Sequence, residues 1–180
     1  MEPDELIRLA HHLADDKLGP PGSAWQRRAI SSAYYALFHE LVSGSVAQVL
    51  PTDGGRDEAR WGVARWYQHG EVRRVSEWVD ALAARRGGVP GQITDLFGGP
   101  AAPEQLPVGL VSVAESFVVL HEARQRADYD HAFEITYDEV EALVERAADA
   151  ISTWRAMPAG YHVNLFRTLM LGGPRLVRAR

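Results

Sequence analysis

The stretch Arg28-Ala-Ile-Ser-Ser-Ala-Tyr-Tyr-Ala-Leu-Phe-His-Glu-Leu-Val42 forms the centre of a segment with helical periodicity. Its large apolar side chains recur every three or four residues, at Ile30, Tyr34, Leu37, Phe38 and Leu41. This spacing predicts a helix from Ala24 to about Leu50 with a wide apolar stripe, which is typical of a core helix. Small side chains along the same stretch would let a neighbouring helix approach closely.

Helical periodicity on both sides of this segment predicts the rest of the fold. The further helices are expected at Asp4 to about Lys17, Arg56 to about Arg86, about Val108 to Asp128, Thr136 to about Met157, and Tyr161 to Leu171. Gly70 is expected to break the second of these into two pieces. Thr136 and Glu139 have the spacing of a capping box, which marks a helix start. Because no alternating strand pattern occurs, the sequence predicts an all-α protein of five to six helices.

The chain has 180 residues, of which 46% are apolar, and this fits one compact domain of ordinary size. We expect residues 1–157 to form a helical bundle that carries a long Gly/Pro-rich loop at 87–107. Residues 158–180 would add a C-terminal helix and a basic tail. The favoured interpretation of the tail is a solvated chain end.

Composition excludes several classes of site. The chain contains no cysteine, so it has no disulfide framework, no thiolate zinc site and no cysteine nucleophile. It also lacks a His-Glu-x-x-His element or a comparable pair of metal ligands, so we expect neither a metal nor a cofactor. The net charge of −5 argues against a broad nucleic-acid surface. The N-terminal residues are acidic and no apolar run is long enough to span a membrane, so a cytoplasmic protein is expected.

A dense run of ionisable side chains, His121 to His131, follows the apolar part of the fourth helix. If the whole run is helical, Arg124 and His131 return to within about 20° of one another, with Asp128 on the same stripe and His121 near it. An arginine can hold a phosphate, a histidine can transfer a proton near neutral pH, and a carboxylate can orient either of them. The same spacing also suits an ordinary ion pair between Arg124 and Asp128.

Arg126 is the second arginine that could act with His131. The two residues are five apart, so they would lie about 140° apart around a continuous helix. They could converge only if the helix ends between them. Asp128 and Asp130 make such an ending plausible, because aspartate competes locally with helical hydrogen bonding.

Three short elements of the chain together resemble the HEPN superfamily of small helical-bundle proteins. Arg28 to His39 is similar to the second-helix signature of that superfamily, and Tyr67-Gln-His-Gly70 is similar to a short His-Gly element. Arg124-Gln-Arg-Ala-Asp-Tyr129 resembles the Arg-x-x-Ala-Asp-Tyr element of one bacterial branch. The order of the three elements matches, and the likeness covers roughly residues 4–157.

The resemblance implies an up-and-down helical bundle that forms a homodimer. In active members it implies a metal-independent endoribonuclease, often in a toxin–antitoxin or defence system with a nucleotidyltransferase-type antitoxin as its partner. Arg124 or Arg126 would then hold the scissile phosphate of RNA, and His131 would be the general acid or base beside Asp128. The candidate substrate-binding residues are Arg28, Tyr35, His69 and Tyr129.

The chain also departs from the pattern of the active members. The residue after the arginine is Gln125 or Ala127, where active members usually carry Asn, Asp or His. The alternative interpretation is therefore a non-catalytic helical module that binds a nucleotide or a partner protein. In that case the Arg/Asp/His stripe would be a ligand grip or an ion-pair network.

Overall fold

A computed structural model describes residues 2–50, 57–173 and 175, and the regular secondary structure of this part of the chain is helical, without strands. The predicted all-α class is therefore confirmed. Two short 3-10 turns lie at Asp16–Leu18 and Gly99–Ala101. The α-helices are α1 (Pro3–Ala14), α2 (Ala24–Val49), α3 (Asp57–Ala64), α4 (His69–Ala83), α5 (Gly91–Leu96), α6 (Ala102–Gln105), α7 (Val108–Tyr129), α8 (Tyr137–Ala156) and α9 (Tyr161–Met170).

The helix count among the described residues is higher than the predicted five to six, for two reasons. The Gly/Pro-rich segment 87–107 contains α5 and α6, because its buried apolar side chains Ile93 and Phe97 fix short helical turns. The predicted helix at 56–86 is two helices, α3 and α4, separated by residues 65–68. The predicted division into two pieces is confirmed, but its predicted position at Gly70 is wrong, since Gly70 lies inside the first turn of α4.

The start of α8 has the predicted capping box. The Thr136 amide donates to Glu139 Oε2 at 2.8 Å, and the Glu139 amide donates to Thr136 Oγ1 at 3.3 Å. These two bonds satisfy amides that have no partner within the helix. The bond from the Thr136 amide, with that from its hydroxyl, also lowers the pKa of the Glu139 carboxyl.

The chain divides into two compact units, and the first consists of Met1–Glu40 and Ser116–Thr153. Tyr34 of α2 is fully buried, with its ring 5.5 Å from that of Phe117 of α7. Phe38 lies 6.5 Å from the same ring of Phe117. The part of the predicted α2 stripe in this unit is therefore core, as expected.

The second unit consists of Leu41–Glu115 and Trp154–Arg180, in which α4 packs against α6 and α9. The first two residues of α9 contact the C-terminal end of α5. Tyr161 donates its hydroxyl to the carbonyl of Leu96 at 2.9 Å, and the His162 ring stacks on Phe97 with the centroids 6.2 Å apart. The predicted C-terminal helix thus belongs to this unit, whereas the last five residues of the predicted basic tail, 176–180, lie outside the described residues.

No helix among the described residues is long and apolar enough to cross a membrane by itself. One pair of helical segments joined at a bend meets the length and composition requirement for a membrane span when the two are taken together. The pair consists of Gly99–Gln105 and Val108–Tyr129.

Gly44 in α2 makes a close helix contact within the second unit that a substitution can test. A Cβ at this position would lie 2.7 Å from Nε1 of Trp154, whose side chain is buried. We expect Gly44→Ala to cost about 1–3 kcal/mol by overpacking, against a gain of about 1 kcal/mol from the higher helix propensity of alanine. The net effect is a lower free energy of unfolding, measurable by urea denaturation.

Gly62 in α3 is the matched control for this substitution. A Cβ there would have no neighbour within 4 Å. Only the propensity gain of up to about 1 kcal/mol remains, so Gly62→Ala is expected to be neutral or stabilising. If the two substitutions change the free energy of unfolding equally, then the Trp154 side chain can move to make room for a Cβ at position 44.

Candidate functional site

The end of α7 decides which of the predicted site residues can act together. The helix stops at Tyr129, and His131 lies in the exposed turn that follows. In this turn the Phe133 amide donates to the carbonyl of Asp130 at 3.2 Å, and the Ala132 amide donates to Asp130 Oδ1 at 2.9 Å. The run from 121 to 131 is therefore not one continuous helix, and the seven-residue alignment of Arg124 with His131 does not apply.

Arg124 forms the predicted ion pair on α7. Its Nε lies 2.7 Å from Asp128 Oδ2, and its Nη2 donates to the Tyr35 hydroxyl of α2 at 3.0 Å. Tyr34, Tyr35 and Tyr129 place their rings 5.5–5.8 Å from the Arg124 guanidinium carbon, within the range of cation–π attraction. The Arg124 side chain is only 18% exposed, so it is embedded in aromatic and polar contacts.

Ser31 completes this network, and sequence reasoning missed it. Its hydroxyl lies 2.6 Å from Asp128 Oδ1 as a donor, and Ser31 itself is buried. Asp128 is exposed as a residue because its backbone is open, but its side chain is only 19% exposed. Asp128 thus accepts from α2 and pairs with Arg124 within α7. No local signal links positions 31 and 128, which are brought together only by the packing of the two helices.

The electrostatics of this cluster favour fixed charges over proton transfer. Burial raises the pKa of the Tyr34 hydroxyl well above its ordinary value, although Arg124 opposes the shift. Burial lowers the pKa of Arg124, but Tyr35, Asp128 and Tyr129 together outweigh that effect and raise it. Neither group can therefore exchange a proton near neutral pH.

Two histidines of the first unit, the buried His121 and the half-buried His39, are packed among aromatic rings. His121 is 5% exposed and lies 5.5 Å from the ring of Tyr34, so it is a core residue. Burial lowers the pKa of His39 on α2, which favours its neutral form. His131 differs from both because it is exposed.

Arg126 lies in the last turn of α7 and is exposed. Its guanidinium carbon stands 4.5 Å from the centroid of the Phe133 ring, in the segment just after His131. Arg126 and Phe133 also line an open pocket of about 530 Å³ between α7 and α8. The other charged side chains of the pocket are Glu122, Glu134, Glu139 and Arg146.

The four predicted substrate-binding residues lie in different environments. Tyr35 is half-buried in the Arg124 network, Tyr129 is 70% exposed, and Arg28 is exposed on α2. His69 belongs to the second unit and is the first residue of α4.

Arg27 is a second residue whose role the sequence did not indicate. It makes four hydrogen bonds to backbone carbonyls, with Nε donating to Gly22 at 3.1 Å and Nη2 donating to Phe133 at 2.8 Å. Nη1 donates to the carbonyls of Ala127 at 3.0 Å and Asp130 at 2.7 Å. The side chain therefore ties the start of α2 to the C-terminal end of α7 and the turn beyond it.

Comparison with family models, with curated proteins and with solved structures found no match. Within residues 2–50, 57–173 and 175, no group of three or more His, Asp or Glu side chains is arranged to hold a metal ion.

Proposed function

We propose that this protein is a HEPN-like, metal-independent endoribonuclease with its site at the C-terminal end of α7. The observation that carries the proposal is the end of α7 at Tyr129, between Arg126 and His131. Convergence of these two residues requires such an ending. Of the two arginines, Arg126 is exposed and lines a pocket. Arg124 is instead hydrogen-bonded to Tyr35 and ion-paired with Asp128.

The proposed roles follow from the chemistry of the side chains. Arg126 holds the scissile phosphate through its planar guanidinium, which is suited to phosphate oxygens and stays charged. His131 acts as general base on the RNA 2′-hydroxyl or as general acid on the leaving oxygen. Arg124 and Asp128 hold α7 against α2. The products would be a 2′,3′-cyclic phosphate and a free 5′-hydroxyl, and the reaction requires no metal.

The resemblance that motivates this reaction also suggests its setting. We propose a homodimer in a toxin–antitoxin or defence system, with a nucleotidyltransferase-type protein as the neutralising partner. These proposals depend on the three motifs that resemble the HEPN superfamily.

A second candidate function is a non-catalytic helical module that binds a nucleotide or a partner protein. The observation in its favour is the network of Arg124, Asp128, Ser31 and Tyr35, in which the Arg124 guanidinium is engaged by an ion pair and a hydrogen bond within the protein. In this module the pocket beside Arg126 would bind a ligand without cleaving it.

The test is cleavage of a mixed-sequence RNA in EDTA by the wild type and by His131→Ala. We expect cleavage by the wild type, and a loss of about a hundredfold or more in the variant, since proton transfer by a positioned side chain contributes that much. Because His131 is exposed in a turn, the helical circular dichroism of the variant should be unchanged.

Two results would contradict the proposal. Cleavage by His131→Ala at the wild-type rate would exclude the site at the end of α7. No cleavage by well-folded wild type, together with co-purification of a nucleotide or a partner protein, would support the binding module instead.

A further inference from the structure

The turn after α7 is held by a residue of another helix. The last carbonyls of a helix have no partner within it, and those of α7 include the carbonyl of Ala127. Arg27 of α2 supplies a donor to Ala127 and, from the same guanidinium, donors to Asp130 and Phe133. One side chain thus joins the last turn of α7 to both ends of the segment that contains His131.

We infer that Arg27 is a positioning residue for the proposed ribonuclease site, an inference that rests on the proposed function. It does not touch the substrate in this role. By fixing the carbonyls on either side of His131, it sets the place of that residue relative to the last turn of α7, which carries Arg126.

The geometry requires arginine rather than any cation. Four of the five guanidinium N–H groups are used, and they diverge toward four carbonyls in three chain segments. A lysine would keep the favourable charge at the C-terminal end of α7. Its single ammonium group cannot reach four acceptors arranged around a planar fork. Arg27→Lys therefore removes the positioning while retaining the charge.

The position of the Arg27 stem supports the same conclusion. Nε is anchored by the carbonyl of Gly22, directly before α2, and the Arg27 guanidinium carbon lies 5.7 Å from the centroid of the Phe133 ring. The guanidinium carbon of Arg126 also lies near this ring, 4.5 Å from its centroid. Phe133 is buried, so it provides a fixed contact for both arginines.

The experiment compares wild type, Arg27→Lys and Arg8→Lys by hydrogen exchange and by RNA cleavage in EDTA. Arg8 is the matched control, because it is an exposed arginine of α1 that donates to one carbonyl of its own helix. In Arg27→Lys we expect the amides of Ala132 and Phe133 to exchange about tenfold faster or more, since the turn opens locally. We expect kcat to fall about tenfold or more with KM changed by less than about twofold, because the loss is in orientation and not in substrate binding. Arg8→Lys should match the wild type in both measurements.

The two measurements separate the possible failures. Unchanged exchange in Arg27→Lys would overturn the inference, and so would faster exchange with unchanged kcat. An inactive wild type would overturn the proposed function and the positioning role of Arg27 together, while the exchange data would still show whether Arg27 holds the turn.

A second variant covers the case in which Arg27→Lys does not fold. Asp130→Ala removes the carboxylate that accepts from the Ala132 amide and leaves the four bonds of Arg27 in place. Because Arg27 still fixes the carbonyls on both sides of His131 in this variant, kcat should stay within about twofold of the wild type. A fall of about tenfold in kcat would show that the Asp130 side chain and not Arg27 positions His131, and would overturn the inference.

Discussion

Arg126→Ala is expected to lower kcat/KM for RNA cleavage by about a hundredfold or more, because removal of one preorganised donor to the reacting oxygens typically has that effect. The stability of the fold should change little. Arg126 is exposed, packs on the face of the Phe133 ring and attracts the exposed Glu139 carboxylate, and such surface interactions contribute little to stability. The measurement is the initial rate of RNA cleavage in EDTA, together with the urea midpoint of the same preparation.

Arg124→Ala should give the opposite result, and this contrast distinguishes the two arginines. Its removal takes the ion-pair partner from Asp128 and one hydrogen-bond donor from Tyr35, so we expect a loss of about 1–3 kcal/mol in the free energy of unfolding. Cleavage by the folded fraction should be less affected than in Arg126→Ala. Gln125→Ala, on an exposed residue between the two arginines, is the control for both measurements. A larger loss of cleavage in folded Arg124→Ala would assign the phosphate to Arg124.

Asp128→Ala is expected to destabilise the protein by about 2 kcal/mol, because the Ser31 hydroxyl loses its shorter hydrogen bond and the Arg124 guanidinium loses its ion pair. The Ser31 hydroxyl is buried and donates to Asp128 Oδ1, and the guanidinium of Arg124 is largely shielded from water. Asp128→Asn keeps an acceptor for Ser31 but loses the charge that pairs with Arg124. Its cost should therefore be smaller than that of the alanine variant, as measured by urea denaturation.

Glu141 is the control for this series. It is exposed on α8, so Glu141→Ala should lie within about 0.5 kcal/mol of the wild type. If Asp128→Ala has the same stability as Glu141→Ala, then water replaces the contacts that Asp128 makes with Ser31 and Arg124 at no measurable cost.

Most of the helical fold could be predicted from the sequence, because apolar spacing reports directly which face of a helix is buried. The limits of α2 differ from the prediction by one residue, and the capping box at Thr136 begins α8 one residue later. Glycine was less informative. Gly70 lies inside a helix, and the loop at 87–107 contains two short helices, because buried side chains such as Phe97 override the local propensity of glycine and proline.

The candidate site was predictable only in part. Spacing along α7 predicted the pair of Arg124 and Asp128, which is present. It could not choose between the continuous helix and the ending at Tyr129, and the contacts that Arg27 makes with this end come from another helix. The residues that close the site from α2 lie about a hundred positions away, with Arg27 bonded to Ala127 and Ser31 bonded to Asp128. Contacts of this kind follow from tertiary packing, which leaves no mark on local periodicity.

The division into two units has a consequence for biosynthesis. Each unit is assembled from two chain segments, and a segment of the other unit lies between them in the sequence. A nascent chain that ends before Ser116 therefore contains no complete unit. The apolar side chains of α2 that pack against Phe117 stay exposed until Phe117 has been synthesised. Such long sequence separations slow folding and expose apolar surface on the ribosome. Folding is thus expected to finish late in translation, with α2 as the segment that a chaperone would bind.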